Sequence, residues 1–208
     1  AAKSGTTTLF YELKKHPKVF IPDIKECRYF SQMPRNCKGG DAAIFQNEGP
    51  RDLKSYLKLF EDSHEEYILD ISNDYFYYYI RTIKNIKNTY DKLNVPEPKI
   101  IIILRNPIER VYSMYHHTIR LHSNFLSFDE AFEESKTRIK NNYAWIFDLK
   151  GVGMSFKPCQ AYLENFKEVK IVLFDDFKKG NLLGEIFDFI GIEKNDNVKN
   201  LIIRNKNT

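Results

Sequence analysis

Five consecutive aliphatic residues, Ile100-Ile101-Ile102-Ile103-Leu104, stand between Lys99 and the segment Arg105-Asn106-Pro107-Ile108-Glu109-Arg110. A run with no polar alternation predicts a strand buried on both faces, as in the middle of a parallel sheet. A helix is expected at once after it. Asn106 suits the N-cap and Pro107 the first helical position. Val111, Met114, Thr118 and Leu121 then form an inner stripe. Working outward, strands are predicted at 19–21, 67–71 and 169–174. Helices are predicted from the Thr run to Lys15 and at 52–60, 75–93, 128–139, 158–166 and 182–190. This alternation predicts a three-layer α/β/α fold with a central parallel sheet. Ligands of such sheets bind beyond the carboxyl ends of the strands.

The bulk properties narrow the class. The chain has 208 residues, 42% hydrophobic and 14% aromatic, enough for one domain over residues 1–208 with a sizeable core and too apolar for a disordered chain. The aliphatic run of five is far short of the about 20 residues a membrane span needs. A net charge of +4 is compatible with an anionic ligand and with an ordinary solvated surface. The charge forms no stripe and no nucleic-acid-binding motif is present, so a nucleic-acid partner is not expected. Cys27, Cys37 and Cys159 follow no zinc or CxxC spacing. A reducing compartment is the simpler reading, with one disulfide plus a free thiol the alternative. The five histidines form no ligand cluster, and no metal is expected.

The chain opens Ala1-Ala2-Lys3-Ser4-Gly5-Thr6-Thr7-Thr8. A small, glycine-containing turn feeding a helix exposes backbone N–H groups, and these together with the helix dipole favour a bound anion. Lys3 adds a charge and the threonines add hydroxyl donors. A run of β-branched threonines is a weak helix former, so its place in a first turn makes more sense if the hydroxyls have a task. The plainer alternative is a capped helix start with a solvated lysine. A Walker A loop is excluded, because there Lys follows Gly, and here it precedes Ser-Gly. Asp175-Asp176 after the last strand matches a magnesium-binding Asp only weakly without that loop.

The second anion-binding candidate is Arg105, at the carboxyl end of the central strand, with Ser113 two turns into the following helix. Arg105 can hold a phosphate bidentately. The alternative is that Arg105 pairs with a carboxylate at the sheet edge and Arg110 is a surface charge.

Lys3-Ser4-Gly5-Thr6-Thr7 opening a helix, with Arg105-Asn106-Pro107-Ile108-Glu109-Arg110-Val111-Tyr112-Ser113-Met114-Tyr115 after a buried strand, resembles the sulfotransferases that use 3'-phosphoadenosine 5'-phosphosulfate (PAPS), and among them the heparan-sulfate-type and bacterial carbohydrate branch. Lys25-Glu26-Cys27-Arg28-Tyr29-Phe30 is similar to the family's KExxxF stretch, residues 70–75 to its ExSPxY segment, and residues 127–131 to its SFEEA helix start. The resemblance implies a P-loop NTPase-like fold and PAPS as donor, with 3'-phosphoadenosine 5'-phosphate (PAP) as product. It assigns Lys3, Ser4, Gly5, Thr6, Thr7 and Thr8 to the 5' end of the cofactor, and Arg105 and Ser113 to the 3'-phosphate. It makes Lys3 the catalytic cation at the leaving oxygen and Glu26 the catalytic base, although Glu26 could equally be a surface residue beside Lys25. The implied acceptor is a hydroxyl, on a carbohydrate first and on a small-molecule or lipid alcohol second. A kinase-like or non-catalytic nucleotide-binding protein is the remote alternative.

There are departures from the family pattern. Ser155 stands where the family usually has Tyr, and Ile71 where some heparan-type members have Lys. The family's first strand has no counterpart before Lys3, and residues 205–208 look like the start of its C-terminal cofactor loop, so segments at both ends are expected to be missing. A cytoplasmic location of the bacterial type is expected, or the Golgi lumen if an N-terminal anchor has been removed. Residues 33–50, rich in turn formers, are a candidate acceptor loop.

Overall fold

Strands and helices alternate along the chain from the first turn. The structure, a computed structural model, describes residues 1–34, 36–39, 49–121, 124–178, 180 and 182–192. The Thr run opens helix α1 (Thr6–Leu13), which stops ahead of His16-Pro17, and strand β1 (Val19–Phe20) follows. Helix α2 (Leu53–Lys58) is capped by Asp52, which accepts from the Ser55 N–H at 2.8 Å, and leads to β2 (Tyr67–Ile68). A 3-10 turn at Asn73–Tyr75 precedes α3 (Tyr79–Leu93). Strand β3 (Ile100–Leu104) runs into α4 (Pro107–Arg120), with the Asn106 side chain accepting from the N–H groups of Ile108 and Glu109. Next come α5 (Phe128–Glu133), α6 (Ser135–Lys140), a 3-10 turn at Trp145–Phe147, α7 (Leu149–Gly153) and α8 (Phe156–Asn165). Strand β4 (Val169–Leu173), α9 (Asp175–Lys178) and α10 (Leu182–Ile190) complete the order.

The strands form two parallel pairs. β1 pairs with β2, Val19 opposite Tyr67, and β3 pairs with β4, Ile100 opposite Val169 through Leu104 opposite Leu173. Among the described residues no ladder joins the two pairs, so the expected central sheet is present as two parallel halves over one shared core. Ile103 packs with Val19, Ile21, Val172, α1 (Leu9, Phe10, Leu13) and α10 (Ile186, Phe187). Its neighbour Ile102 packs on the other side with Phe30, α3 (Ile83, Ile86) and α8 (Tyr162, Phe166). Successive strand side chains point to opposite faces. The run 100–104 therefore serves both helical layers, and this produces the α/β/α sandwich. Burial on both faces is complete only at Ile102 and Ile103, 3% and 2% exposed. A third cluster joins Val111 and Met114 of α4 to Trp145, Phe147 and α7.

Several boundaries differ from expectation for local reasons. The strand expected over 67–71 ends at Ile68, and Asp70 turns its carboxylate into a network of hydroxyls. The helix expected from residue 75 begins at Tyr79, because residues 73–75 take the 3-10 turn. The helix expected over 128–139 breaks at Glu134; the Ser135 hydroxyl donates back to the carbonyls of Ala131 and Phe132, a bond that bends helices. Helix α7 lies in a Gly-Val-Gly stretch too short and too glycine-rich to read as helical. All three cysteines are free.

The central position of Ile103 gives a stability test. Ile103→Ala should lower the unfolding free energy by about 2–5 kcal/mol in urea titration. Ile108→Ala, at a position 77% exposed, should change it by less than about 0.5 kcal/mol.

Candidate active site

The opening loop sits at the carboxyl end of β3, where the Ala1 nitrogen donates to the Ile103 carbonyl at 3.1 Å. Lys3 (φ 59°) and Gly5 (φ 81°) both hold left-handed backbone. That curl lets successive N–H groups face one concavity. Gly5 is the N-cap of α1 and no side chain caps the helix, so the first-turn N–H groups are left to a ligand or solvent. Thr7 is exposed and Thr6 and Thr8 are half-buried. Ser4 is fully buried and its hydroxyl turns back to the Ala2 carbonyl at 3.4 Å, so only its backbone belongs to the concave face.

The second motif meets the first directly. The Arg105 guanidinium donates to the Lys3 carbonyl from Nη1 at 3.4 Å, and to the Glu109 carboxylate from Nε and Nη2, both at 3.0 Å. It lies 5.0 Å above the Phe174 ring, at the end of β4. Arg105 thus pairs with a carboxylate at the sheet edge and borders the loop as well. Ser113, half-buried, lies one helical turn beyond Glu109 on the same face of α4. His116 and His117 are half-buried along that helix.

Glu26 is buried, 6% exposed, on left-handed backbone (φ 70°). Lys25 Nζ donates to its Oε1 at 2.7 Å and the Asn73 N–H to its Oε2 at 2.6 Å. It is therefore a fixed carboxylate and not a surface residue. Tyr29 and Phe30 are buried, with Tyr29 stacked on Tyr56 at 4.4 Å, so they pack under the loop. Most of the candidate acceptor loop at 33–50 lies outside the described residues, as do residues 205–208.

The electrostatics of Lys3 identify a cation that motif reading missed. Burial is the largest cause pushing its ammonium down to about 8, followed by the positive charges of Arg120, Arg105 and Lys25. Arg120 follows Ser113 by seven residues, two turns along the same face of α4. It is exposed and makes no hydrogen bond or ion pair among the described residues. Helical spacing from Ser113 could have found it. Three further cations thus act on Lys3, with Lys25 balanced by Glu26 and Arg105 by Glu109. Such a cluster favours an anion, which relieves both the desolvation and the mutual repulsion. Arg110, in contrast, is no surface charge. It is 1% exposed and gives Nη2 to the carbonyls of Val152 and Met154.

The shift of Lys3 has a sign that titration can check. An anion such as PAP binds the protonated ammonium, so its affinity should hold below pH 8 and fall as pH rises through 8. Calorimetry across pH 7–10 should show this fall, and Lys3→Ala should remove it. Arg120→Ala takes away a neighbouring positive charge, so the fall should begin at higher pH. An unmoved profile would show that Arg120 does not act on Lys3.

The sequence and the fold have counterparts among known proteins. The sulfotransferase domain model matches residues 1–207. The membrane-associated sulfotransferase kil1 of Dictyostelium discoideum is 31% identical over 120 residues, which are 57% of this chain and 21% of that protein. The chain therefore spans about a fifth of that relative's length. The crystal structure of a sulfotransferase from Alicyclobacillus acidocaldarius superposes with a TM-score of 0.83 at 30% identity, covering 95% of this chain and 85% of that one. With a family match over nearly its whole length and the same fold at this identity, the chain belongs to the sulfotransferase domain family.

Proposed function

We propose that this chain transfers a sulfuryl group from PAPS to a hydroxyl acceptor, and that the acceptor is a carbohydrate. The observation that carries the donor reading is the bond from Arg105 to the Lys3 carbonyl, which joins two anion-binding elements at the carboxyl end of β3. One is a helix start without a side-chain cap, the other a guanidinium at the strand end followed by a serine on the next helix. A ligand with anionic groups at two ends fits that pair. PAPS supplies a sulfuryl group carried on a phosphate that departs readily.

In this reading Thr6, Thr7 and Thr8, with the backbone of Ser4 and Gly5, bind the 5' end, and Arg105 and Ser113 bind the 3'-phosphate. Glu109 now occupies part of the Arg105 fork and would share it with a phosphate. The Lys3 ammonium, protonated at neutral pH, offsets negative charge developing at the leaving oxygen. Such preorganised charge counts for more where water is excluded. Glu26 accepts the proton of the acceptor hydroxyl; Lys25 and the Asn73 N–H hold its carboxylate in place. The carbohydrate assignment rests on the resemblance of the motifs at residues 3–7 and 105–115 to the heparan-sulfate-type and bacterial carbohydrate branch.

Two measurements test this reading. PAP should raise the melting temperature well above the effect of AMP, which lacks the 3'-phosphate. Equal shifts would remove the role of Arg105 and Ser113. With PAPS and a panel of sugars, phenols and lipid alcohols, transfer should be strongest to a sugar and should survive EDTA. Glu26→Gln should leave PAP affinity unchanged and cut turnover at least about 100-fold. Turnover at the wild-type rate would place the base elsewhere.

A further inference from the structure

The candidate base sits on an unfavourable piece of backbone. Glu26, Arg28 and Gln32 all have positive φ (70°, 55° and 40°), and none is glycine. Such conformations persist only where the surroundings over-determine them. Here residues 70–75 supply much of the surroundings, and α3 adds Arg81, which donates from Nη1 to the Gln32 carbonyl at 2.8 Å, and Asn85, which donates from Nδ2 to the Phe30 carbonyl at 2.8 Å. The Arg28 N–H donates to Ser72 Oγ at 3.0 Å, and Ser72 Oγ donates to Asp70 Oδ1 at 2.8 Å. The Phe30 N–H reaches Tyr75 Oη at 3.4 Å, and that hydroxyl donates to Asp70 Oδ2 at 2.6 Å. Ser31 Oγ donates to Asp74 Oδ2 at 2.5 Å and is also 2.9 Å from the Arg28 carbonyl. Between the two carboxylates lies Asn73, whose N–H holds Glu26 itself.

Asp74 stands apart within this set. It is fully buried, and its Oδ1 has no hydrogen-bond partner among the described residues. Burial pushes its carboxyl up to about 7, against the pull of the Ser31 hydroxyl and the Arg28 guanidinium. A buried carboxyl with one oxygen unmatched works against the fold. Departures of this kind from good packing chemistry are expected where function needs a fixed geometry. The Ser31–Asp74 bond, together with that of the Phe30 N–H to Tyr75 Oη, ties the far end of the left-handed turn to the 3-10 turn that carries the Asn73 N–H.

We infer that Asp74 is a positioning residue for Glu26: by holding Ser31 it fixes the 26–32 turn against the Asn73–Tyr75 turn, so that the Glu26 carboxylate is presented in one orientation. The inference rests on the reading of Glu26 as the base. Asp74 itself touches no reacting group; its effect passes through Ser31 and Asn73.

The test needs no identified acceptor, because PAP release from PAPS can be followed with water as acceptor. Asp74→Ala should slow that release at least about tenfold, in the range of a partly misplaced base, with PAP affinity unchanged within about twofold. Asp74→Asn keeps an acceptor for the Ser31 hydroxyl and should recover most of the rate. Added to Glu26→Gln, Asp74→Ala should cause no further loss, since residues acting as a unit are not additive. Amide exchange within 26–32 should quicken in Asp74→Ala while that of β3 and β4 stays unchanged. Should Asp74→Ala fail to fold, Ser31→Ala removes the same bond from its other end and is read in the same way. Unchanged exchange in 26–32, or a loss that multiplies that of Glu26→Gln, would overturn the inference. A wild-type rate for Glu26→Gln would instead overturn the base reading, and the exchange result would then decide the clamp alone.

Discussion

The bond from the Arg105 guanidinium to the Lys3 carbonyl is the contact on which the site depends. Arg105 leaves the end of β3, rests over Phe174 at the end of β4, and is braced by Glu109 in the first turn of α4. The same side chain therefore senses both strands of one parallel pair, the helix that follows, and the loop before α1. Such a junction is available only at the carboxyl edge of a parallel pair, where strand ends and helix starts meet. It also brings like charges together. Lys3, Arg105 and Arg120 repel one another, and half-burial of Lys3 adds a desolvation cost. The arrangement is complete electrostatically only with an anion present.

On the opposite side of the site the problem is one of the other sign. Glu26, Asp70 and Asp74 are three carboxyl groups within a short reach, two of them raised above the usual carboxylate range by burial. The fold handles each differently. Glu26 has a cation and a backbone N–H. Asp70 has hydroxyls from Tyr56, Ser72 and Tyr75, which supply hydrogen bonds without a counter-charge. Asp74 has one hydroxyl and an unmatched oxygen. Glu26 thus has a cation at its carboxylate, whereas Asp70 and Asp74 are held by hydroxyls that tie the backbone around them.

Much of the architecture was legible because it is written locally. The run 100–104, the Asn106-Pro107 helix start and the Ser127–Glu130 capping box each sit where short-range chemistry puts them. The glycine turn that feeds α1 was legible for the same reason: its glycine and its helix are adjacent in sequence. What could not be read was set by partners far along the chain. The left-handed turn at 26–32 is imposed by residues more than forty positions later, and no local preference of Glu, Arg or Gln announces it. The early end of β2 has the same origin, since Asp70 is drawn into hydroxyls from Tyr56 and Tyr75. Arg120 was missed because it belongs to no motif, only to a helix face.

Arg110 shows how one helix can serve two purposes. Read locally, an arginine five residues after Arg105 is a second surface cation. One residue on from Glu109, about 100° around α4, it instead turns into the interior, where it is buried against the Phe76 ring at 5.6 Å. Its guanidinium then finds backbone carbonyls, those of Val152 and Met154, at the end of α7. Charged donors make stronger bonds to carbonyls than neutral ones do, so this contact draws the end of α7 tightly onto α4. The approach is close enough that a Cβ at Gly153 would stand 3.0 Å from the Val111 side chain. Glycine at 153 and arginine at 110 are thus two halves of one requirement. The buried residues of α4 fix its position against α7, and that fixed position keeps Ser113 and Arg120 in a constant relation to the helix start, where Glu109 braces Arg105.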